Sequence, residues 1–224
     1  MKAKFIIGCS ETDSNLYYAT RFLAPDEFIC LEIGGRRIAY VNDMEFTRAE
    51  AEARVDEVVN TSRRPEKYAS TLEWMVAERK ISEAAVPENF AIVQAERLRK
   101  MGVKVEVKAG AYFPEREVKD SREIAHIRAA QRVNEKALAV ALETLRRSGI
   151  RQDGKLEYDG KILTSEFLKE VIGIEFLKGG CRSEMDIVAC GRQSAQPHNS
   201  GSGPLFAHQP IVIDLYPRSI MSRY

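Results

Sequence analysis

Two residues in this chain pair a reactive side chain with a backbone setting that could aim it. Asp214 closes the apolar run Pro210-Ile211-Val212-Ile213. A carboxylate carried on the end of a buried strand can serve an α/β enzyme as a metal ligand or a base. The same position also suits a cap for the turn that follows, so the residues alone leave ligand, base and cap open. His198 lies in a long segment, 191–209, that is rich in Gly, Ser, Pro and His. Long loops after buried strands often carry site residues, and the preceding Pro197 limits the backbone beneath the ring. The alternative is a surface histidine in a polar loop.

The other candidates have plainer readings. His208 falls at a loop-to-strand corner, where a hydrogen-bonded structural histidine is expected, and His126 falls on a helix. With three histidines in the chain, a histidine-rich metal centre is excluded. Gly34-Gly35 and Gly179-Gly180 read as a turn and a helix stop, since neither belongs to a phosphate-loop or dinucleotide pattern. No serine sits in a nucleophile-elbow context. Cys9, Cys30, Cys181 and Cys190 lack paired metal-ligand spacing and lie in apolar runs, as expected for reduced thiols in a cytoplasmic protein.

Composition sets the frame around these residues. Lys+Arg 34 against Asp+Glu 33 leaves a formal charge of +1, which gives no electrostatic reason to expect nucleic acid or an anionic membrane as partner. No apolar stretch approaches the length of a membrane span, and the apolar part of the N-terminus is too short for a signal peptide.

Strand and helix signals alternate through the first half. Strands are expected at 4–9, 28–32, 37–41, 55–59, 81–86 and 103–107, with a hairpin at Gly34-Gly35. Helices are expected at 44–54, 65–80 (Pro65 in its first turn) and 90–101. This alternation predicts a mixed sheet with helices packed on it, an α/β (α+β) fold. Residues 109–119 have no period and read as a linker. Asp120, with Glu123 in the capping-box position, then opens the strongest helix, whose apolar stripe is Ile124, Ile127, Leu138, Leu142 and Leu145. Residues 151–160 read as a polar loop. A second helix runs from a Thr164 or Ser165 cap to about Lys178, and strands follow at 185–190 and 210–216.

Four segments carry a family resemblance. Asn15-Leu16-Tyr17-Tyr18-Ala19-Thr20-Arg21-Phe22 resembles the N-terminal domain of the creatinase, prolidase and Xaa-Pro aminopeptidase family. Lys119-Asp120-Ser121-Arg122-Glu123-Ile124 with Ile127-Arg128-Ala129-Ala130 resembles the start of its "pita-bread" catalytic domain. Ile187-Val188-Ala189-Cys190-Gly191 with Ser194-Ala195-Gln196-Pro197-His198 resembles its substrate loop, and Pro210-Ile211-Val212-Ile213-Asp214 its first metal-ligand strand.

The resemblance implies a creatinase-like N-terminal domain over 1–118 and a partial pita-bread metallopeptidase domain over 119–224. It implies hydrolysis of the bond to a proline nitrogen in a proline-containing peptide by water held on two divalent metal ions (Mn, Co or Zn), in a homodimer. Asp214 matches the first metal-binding aspartate and His198 the substrate-contacting histidine. The chain departs from the pattern at Tyr216, where the family commonly has glycine. The family's second aspartate, further histidine and two glutamates do not follow within the 224 residues. The chain as given is therefore expected to be a truncated, inactive form, because a dinuclear centre needs several converging carboxylates. Two alternatives stand beside this: a non-catalytic peptidase-like binding or assembly module, and a creatinase-like amidinohydrolase.

Overall fold

Strict two-residue alternation builds the first sheet. In β1 (Lys2–Cys9), Ala3, Phe5 and Ile7 point to one face and Ile6 to the other, so a single strand feeds two cores. The same division continues in β2 (Glu27–Ile33) and β3 (Arg36–Val41), which form the expected hairpin around Gly34-Gly35. With β4 (Glu57–Asn60), β5 (Glu83–Pro87) and β6 (Lys104–Lys108) they make a six-stranded sheet of order β4-β3-β2-β1-β5-β6. Only β2 runs against the rest. Helices α1 (Ser14–Thr20) and α2 (Asp43–Glu52) cover one face through Leu16, Ala19 and Ala49. Helices α3 (Thr71–Glu78) and α4 (Ile92–Lys100) cover the other through Leu72, Met75 and Leu98.

This is a computed structural model describing residues 1–224, and it divides into two units, Met1–Glu117 and Val118–Tyr224. Two sequence expectations in the first unit are corrected. Pro65 does not open a helix. The chain turns at Thr61–Arg63, and α3 starts at Thr71, where Ser70 accepts from the Glu73 N–H at 3.1 Å and Glu73 accepts from the Ala69 N–H at 2.7 Å. A helix start held by two side-chain bonds outweighs a proline that is only permissive. Nor is 109–119 a linker throughout. Tyr112 and Phe113 are buried in the α1/α2 core, and the Tyr112 hydroxyl donates to Ala85 O at 2.9 Å and Phe5 O at 3.3 Å. The segment closes the first unit over its own sheet.

The second unit starts with α5 (Ser121–Arg146), capped reciprocally by Asp120 and Glu123 as the sequence indicated. Its buried face differs from the leucine-rich stripe. Ala130, Ala137 and Ala141 are buried, whereas Ile124, Ile127, Leu138 and Leu142 are 36–42% exposed. The alanines pack in one core with Leu168, Ile172 and Phe176 of α6 (Ser165–Lys178), because side chains this small let the two helices approach closely. Leu145 packs at the margin of that core.

Residues 149–162, read largely as a loop, form a three-stranded meander of β7 (Gly149–Ile150), β8 (Leu156–Tyr158) and β9 (Lys161–Ile162). Asp159 (φ 50°) and Gly160 (φ 73°) make the turn between β8 and β9 with both φ angles positive, the geometry an Asp-Gly pair favours. Four further strands follow α6 in two ladders. In the first, β10 (Cys181–Arg182) pairs with β13 (Arg218–Ser219), and in the second, β11 (Ile187–Cys190) pairs with β12 (Ile211–Asp214). All four cysteines are free thiols, with Cys30 and Cys181 buried. No helix is long and apolar enough to cross a membrane.

Candidate functional site

The β11–β12 ladder places the candidate site. Its register sets Asp214, the last residue of β12, opposite Ile187, the first of β11. The segment between them, containing His198, leaves and returns at the other end of the ladder. It is not a freely hanging loop. A short helical turn, Gly191–Ala195, begins it. The Gln193 amide then clamps Ser202, donating to its carbonyl at 3.1 Å and accepting from its N–H at 2.9 Å. Asn199 Oδ1 accepts from the Gly201 N–H at 2.9 Å.

Helix α6 holds the far side of this loop. Lys169 Nζ donates to Ser200 O at 3.1 Å and to Gly201 O at 2.9 Å, and Glu166 accepts from the Gly203 N–H at 3.0 Å. Ser165, fully buried, donates to Val188 O on β11. Gly201, at φ +77°, lies so close to β11 that a Cβ there would collide with the backbone of Val188 and Ala189. Glu166 receives N–H donors from its own backbone and from Gly203, and these hold its carboxyl below the ordinary glutamate range.

His198 is exposed and takes φ 62°, a left-handed conformation that costs a non-glycine residue energy and is kept here by the surrounding bonds. Its side chain lines a cleft of about 390 Å³ with Ile187, Met185 and Tyr216. Arg182, Glu184 and Arg218 complete the lining. Arg182 and Arg218 are direct partners across the β10–β13 ladder. Such a like-charge pair is unfavourable, and Glu184 offsets it, with Oε1 at 3.5 Å from Arg218 and 4.0 Å from Arg182. Two guanidiniums against one carboxylate leave the cleft wall suited to an acidic group.

Asp214 meets this cleft through Tyr216. The Tyr216 hydroxyl donates to Asp214 Oδ2 at 2.6 Å, and the carboxylate raises the phenol above its usual range through that hydrogen bond and through its charge. The structure thus brings the sequence candidates to one cleft: His198 directly, and Asp214 by way of Tyr216. The other two histidines stand apart. His126 stacks on Tyr224 with 5.8 Å between ring centroids, and His208 is exposed in a turn three residues before β12, with φ 60°.

Sequence reasoning did not single out Arg182, Arg218, Glu166 or Lys169 for the site, and it read Ser165 only as a candidate helix cap. The two arginines sit 36 positions apart in strands too short to show a period. Glu166 and Lys169 resemble ordinary surface charges in the first turns of a capped helix.

No protein-family model and no curated protein sequence matches the chain. Solved structures do. A prolidase from Pyrococcus furiosus aligns over 97% of this chain and 58% of its own length, with TM-score 0.73 at 18% identity. The X-Pro aminopeptidase from Thermotoga maritima aligns over 96% of this chain and 58% of its own length, with TM-score 0.75 at 20% identity. A Xaa-Pro dipeptidase from Bacillus anthracis gives TM-score 0.73 at 16% identity, over 95% of this chain and 55% of that one. The chain therefore spans a little under three fifths of the structures it resembles.

The residues present can be tested against the two metal ions that the sequence resemblance implies. No three His, Cys, Asp or Glu side chains converge on a point that could hold a cation. Of the Asp214 oxygens, Oδ2 already accepts from Tyr216. One carboxylate with one oxygen committed does not make a dinuclear site, so the residues present do not fit two metals. The fold is nevertheless clear: across both units, this chain has the architecture of the prolidases and Xaa-Pro aminopeptidases of known structure.

Proposed function

We propose that the chain provides the N-terminal domain (1–118) and the first part of the catalytic domain (119–224) of a Xaa-Pro peptidase. The observation that carries this reading is the cleft lined by His198 and Tyr216, with Asp214 hydrogen-bonded to Tyr216 just behind that lining. The likeness of fold over nearly the whole chain supports it.

In this reading His198 faces the proline-containing peptide and holds or moves a proton at a substrate oxygen. Arg182 and Arg218 attract the peptide's carboxylate. Asp214 is the residue here that would contribute to a centre for divalent Mn, Co or Zn in such a peptidase, and the residues present do not complete that centre. The full peptidase works as a cytoplasmic homodimer. The 224 residues alone bind peptide weakly and do not turn it over, because water activation needs the complete centre.

The test has two arms. Purified chain of verified mass is incubated with Xaa-Pro dipeptides and excess Mn²⁺, Co²⁺ or Zn²⁺, and product is sought by mass spectrometry. None is expected, and metal-dependent turnover would overturn the inactivity. Separately, His198 ring signals are followed by NMR as an Ala-Pro dipeptide is added. A saturable shift that Arg218→Gln weakens is expected. An unmoved His198 would sink the substrate-facing role while leaving the fold untouched.

A second reading, a peptidase-like binding module without turnover, is favoured by one observation: Tyr216, at a position where the family commonly has glycine, is hydrogen-bonded to Asp214. Recovery of the cellular protein at the mass of these 224 residues would favour it, and a substantially larger protein would not.

A further inference from the structure

The first unit holds a second cleft, unrelated to His198 and Asp214. It measures about 560 Å³, within the range of small-molecule sites. We propose that this cleft binds a small molecule combining a carboxylate with an apolar body. The inference does not depend on the peptidase reading.

Its place in the fold comes first. Because β2 alone is reversed, β1, β3 and β4 all point the same way. The cleft is lined by Ile7 near the end of β1, Tyr40 near the end of β3 and Thr61 just after β4. It therefore opens at the carboxyl ends of three parallel strands. Helix α2, which joins β3 to β4, lies on one face of the sheet, whereas α4, which joins β5 to β6, lies on the other. Connections that leave in opposite directions part at such an edge, and in open α/β sheets that crevice is where ligands bind.

The lining then selects the ligand. Ile7, Ile29 and Met101 are only partly buried and form an apolar floor with Leu72 and Tyr40. An apolar group seated there would remove this surface from water. On the α4 wall, Arg97 and Lys100 stand one helical turn apart and are exposed, and neither enters an ion pair. Arg97 reaches only the Gln94 side-chain amide, at 3.2 Å. Two carboxylates share the lining. Glu73 is turned to its helix cap, accepting from the Ala69 N–H, and Glu27 is exposed at the start of β2. The α4 wall therefore keeps two uncommitted positive charges above an apolar floor, against the one unpaired carboxylate of Glu27, a balance that favours an acid with an apolar body.

The test uses the whole 224-residue chain and three probes followed by NMR titration: N-acetyl-L-phenylalanine, its amide, and acetate. Saturable binding of the acid is expected, with resonances of Ile29, Leu72 and Met101 moving. The amide and acetate are expected to bind at least about fivefold more weakly. Arg97→Gln with Lys100→Gln should weaken the acid by a similar factor with an unchanged thermal melt, and each single substitution provides the check should the double variant melt early. Glu27→Gln should leave acid binding equal or tighter. Acid and amide binding alike, acetate matching the acid, an indifferent double variant or no saturable binding would each overturn the proposal.

Discussion

The hydroxyl of Tyr216 donates to Asp214 Oδ2 at 2.6 Å, so the residue that departs from the expected glycine is engaged with the candidate ligand two positions before it. The carboxylate holds the proton on the phenol. Asp214→Asn removes both the charge and the ionic acceptor. One tyrosine ionisation should then move to lower pH, detectable by near-ultraviolet absorbance titration against wild type, and Tyr216→Phe should abolish that difference. An identical titration in the Asp214→Asn variant would mean that the pair does not form in solution.

Acid should loosen the His198 loop before it unfolds the rest of the unit. Glu166 has a folded pKa below its unfolded value, so its contribution is complete above the ordinary glutamate range of about 4.3 and is lost as pH falls through the lower folded value. The protection of the Gly203 amide, whose N–H it accepts, should fall over that window in wild type once exchange is referred to the intrinsic rate at each pH. In Glu166→Gln, exchange should be faster at neutral pH and insensitive to this titration. A Glu166→Gln variant with wild-type pH dependence would contradict the assignment.

The two faces of α5 should respond in opposite ways. Ala137 is fully buried against α6, so Ala137→Leu overpacks the seam and should cost about 1–3 kcal/mol in urea unfolding. Leu138, 36% exposed, should cost under about 1 kcal/mol when changed to Ala. The reverse order would restore the leucine stripe as the core face.

Gly201 is where the loop meets β11, with positive φ and no room for a side chain. Gly201→Ala should lose about 3 kcal/mol or more and displace the loop. Gly203, also at positive φ but with open space around its missing side chain, should lose less. Thermal melts of the two variants separate crowding from backbone strain.

Those contrasts also show what a sequence can and cannot reveal. Signals that act over a few residues were legible: the Asp120–Glu123 capping box, a helix start at Thr164 or Ser165 that proves to be capped by Thr164, and the Gly34-Gly35 hairpin. The last strand was legible as well, but it was read as 210–216 and stops at Asp214, after which the chain passes Pro217 and pairs with β10 through Arg218–Ser219. The Asp159-Gly160 hairpin was equally local and was obscured by the polar residues around it. The buried face of α5 was not legible, because periodicity marks apolar positions without saying which face has a partner. A close helix–helix seam favours alanine over the leucines that dominate a hydrophobicity pattern. In the site, His198 and Asp214 stood out by residue type and setting. The Arg182–Arg218 pairing and the α6 clamp depend on long-range register and could not.

The clamp on the His198 loop has a consequence for how such a protein can change over generations. Lys169 grips carbonyl oxygens of Ser200 and Gly201, and Glu166 grips the Gly203 N–H. These are backbone atoms, which every residue possesses. Many side chains along the loop can therefore be exchanged without altering the path that carries the histidine, as long as α6 keeps its two charged residues, Gln193 and Asn199 keep their amides, and the Gly201 position stays bare. Drift of that kind erases sequence likeness along the loop while preserving the path of its backbone.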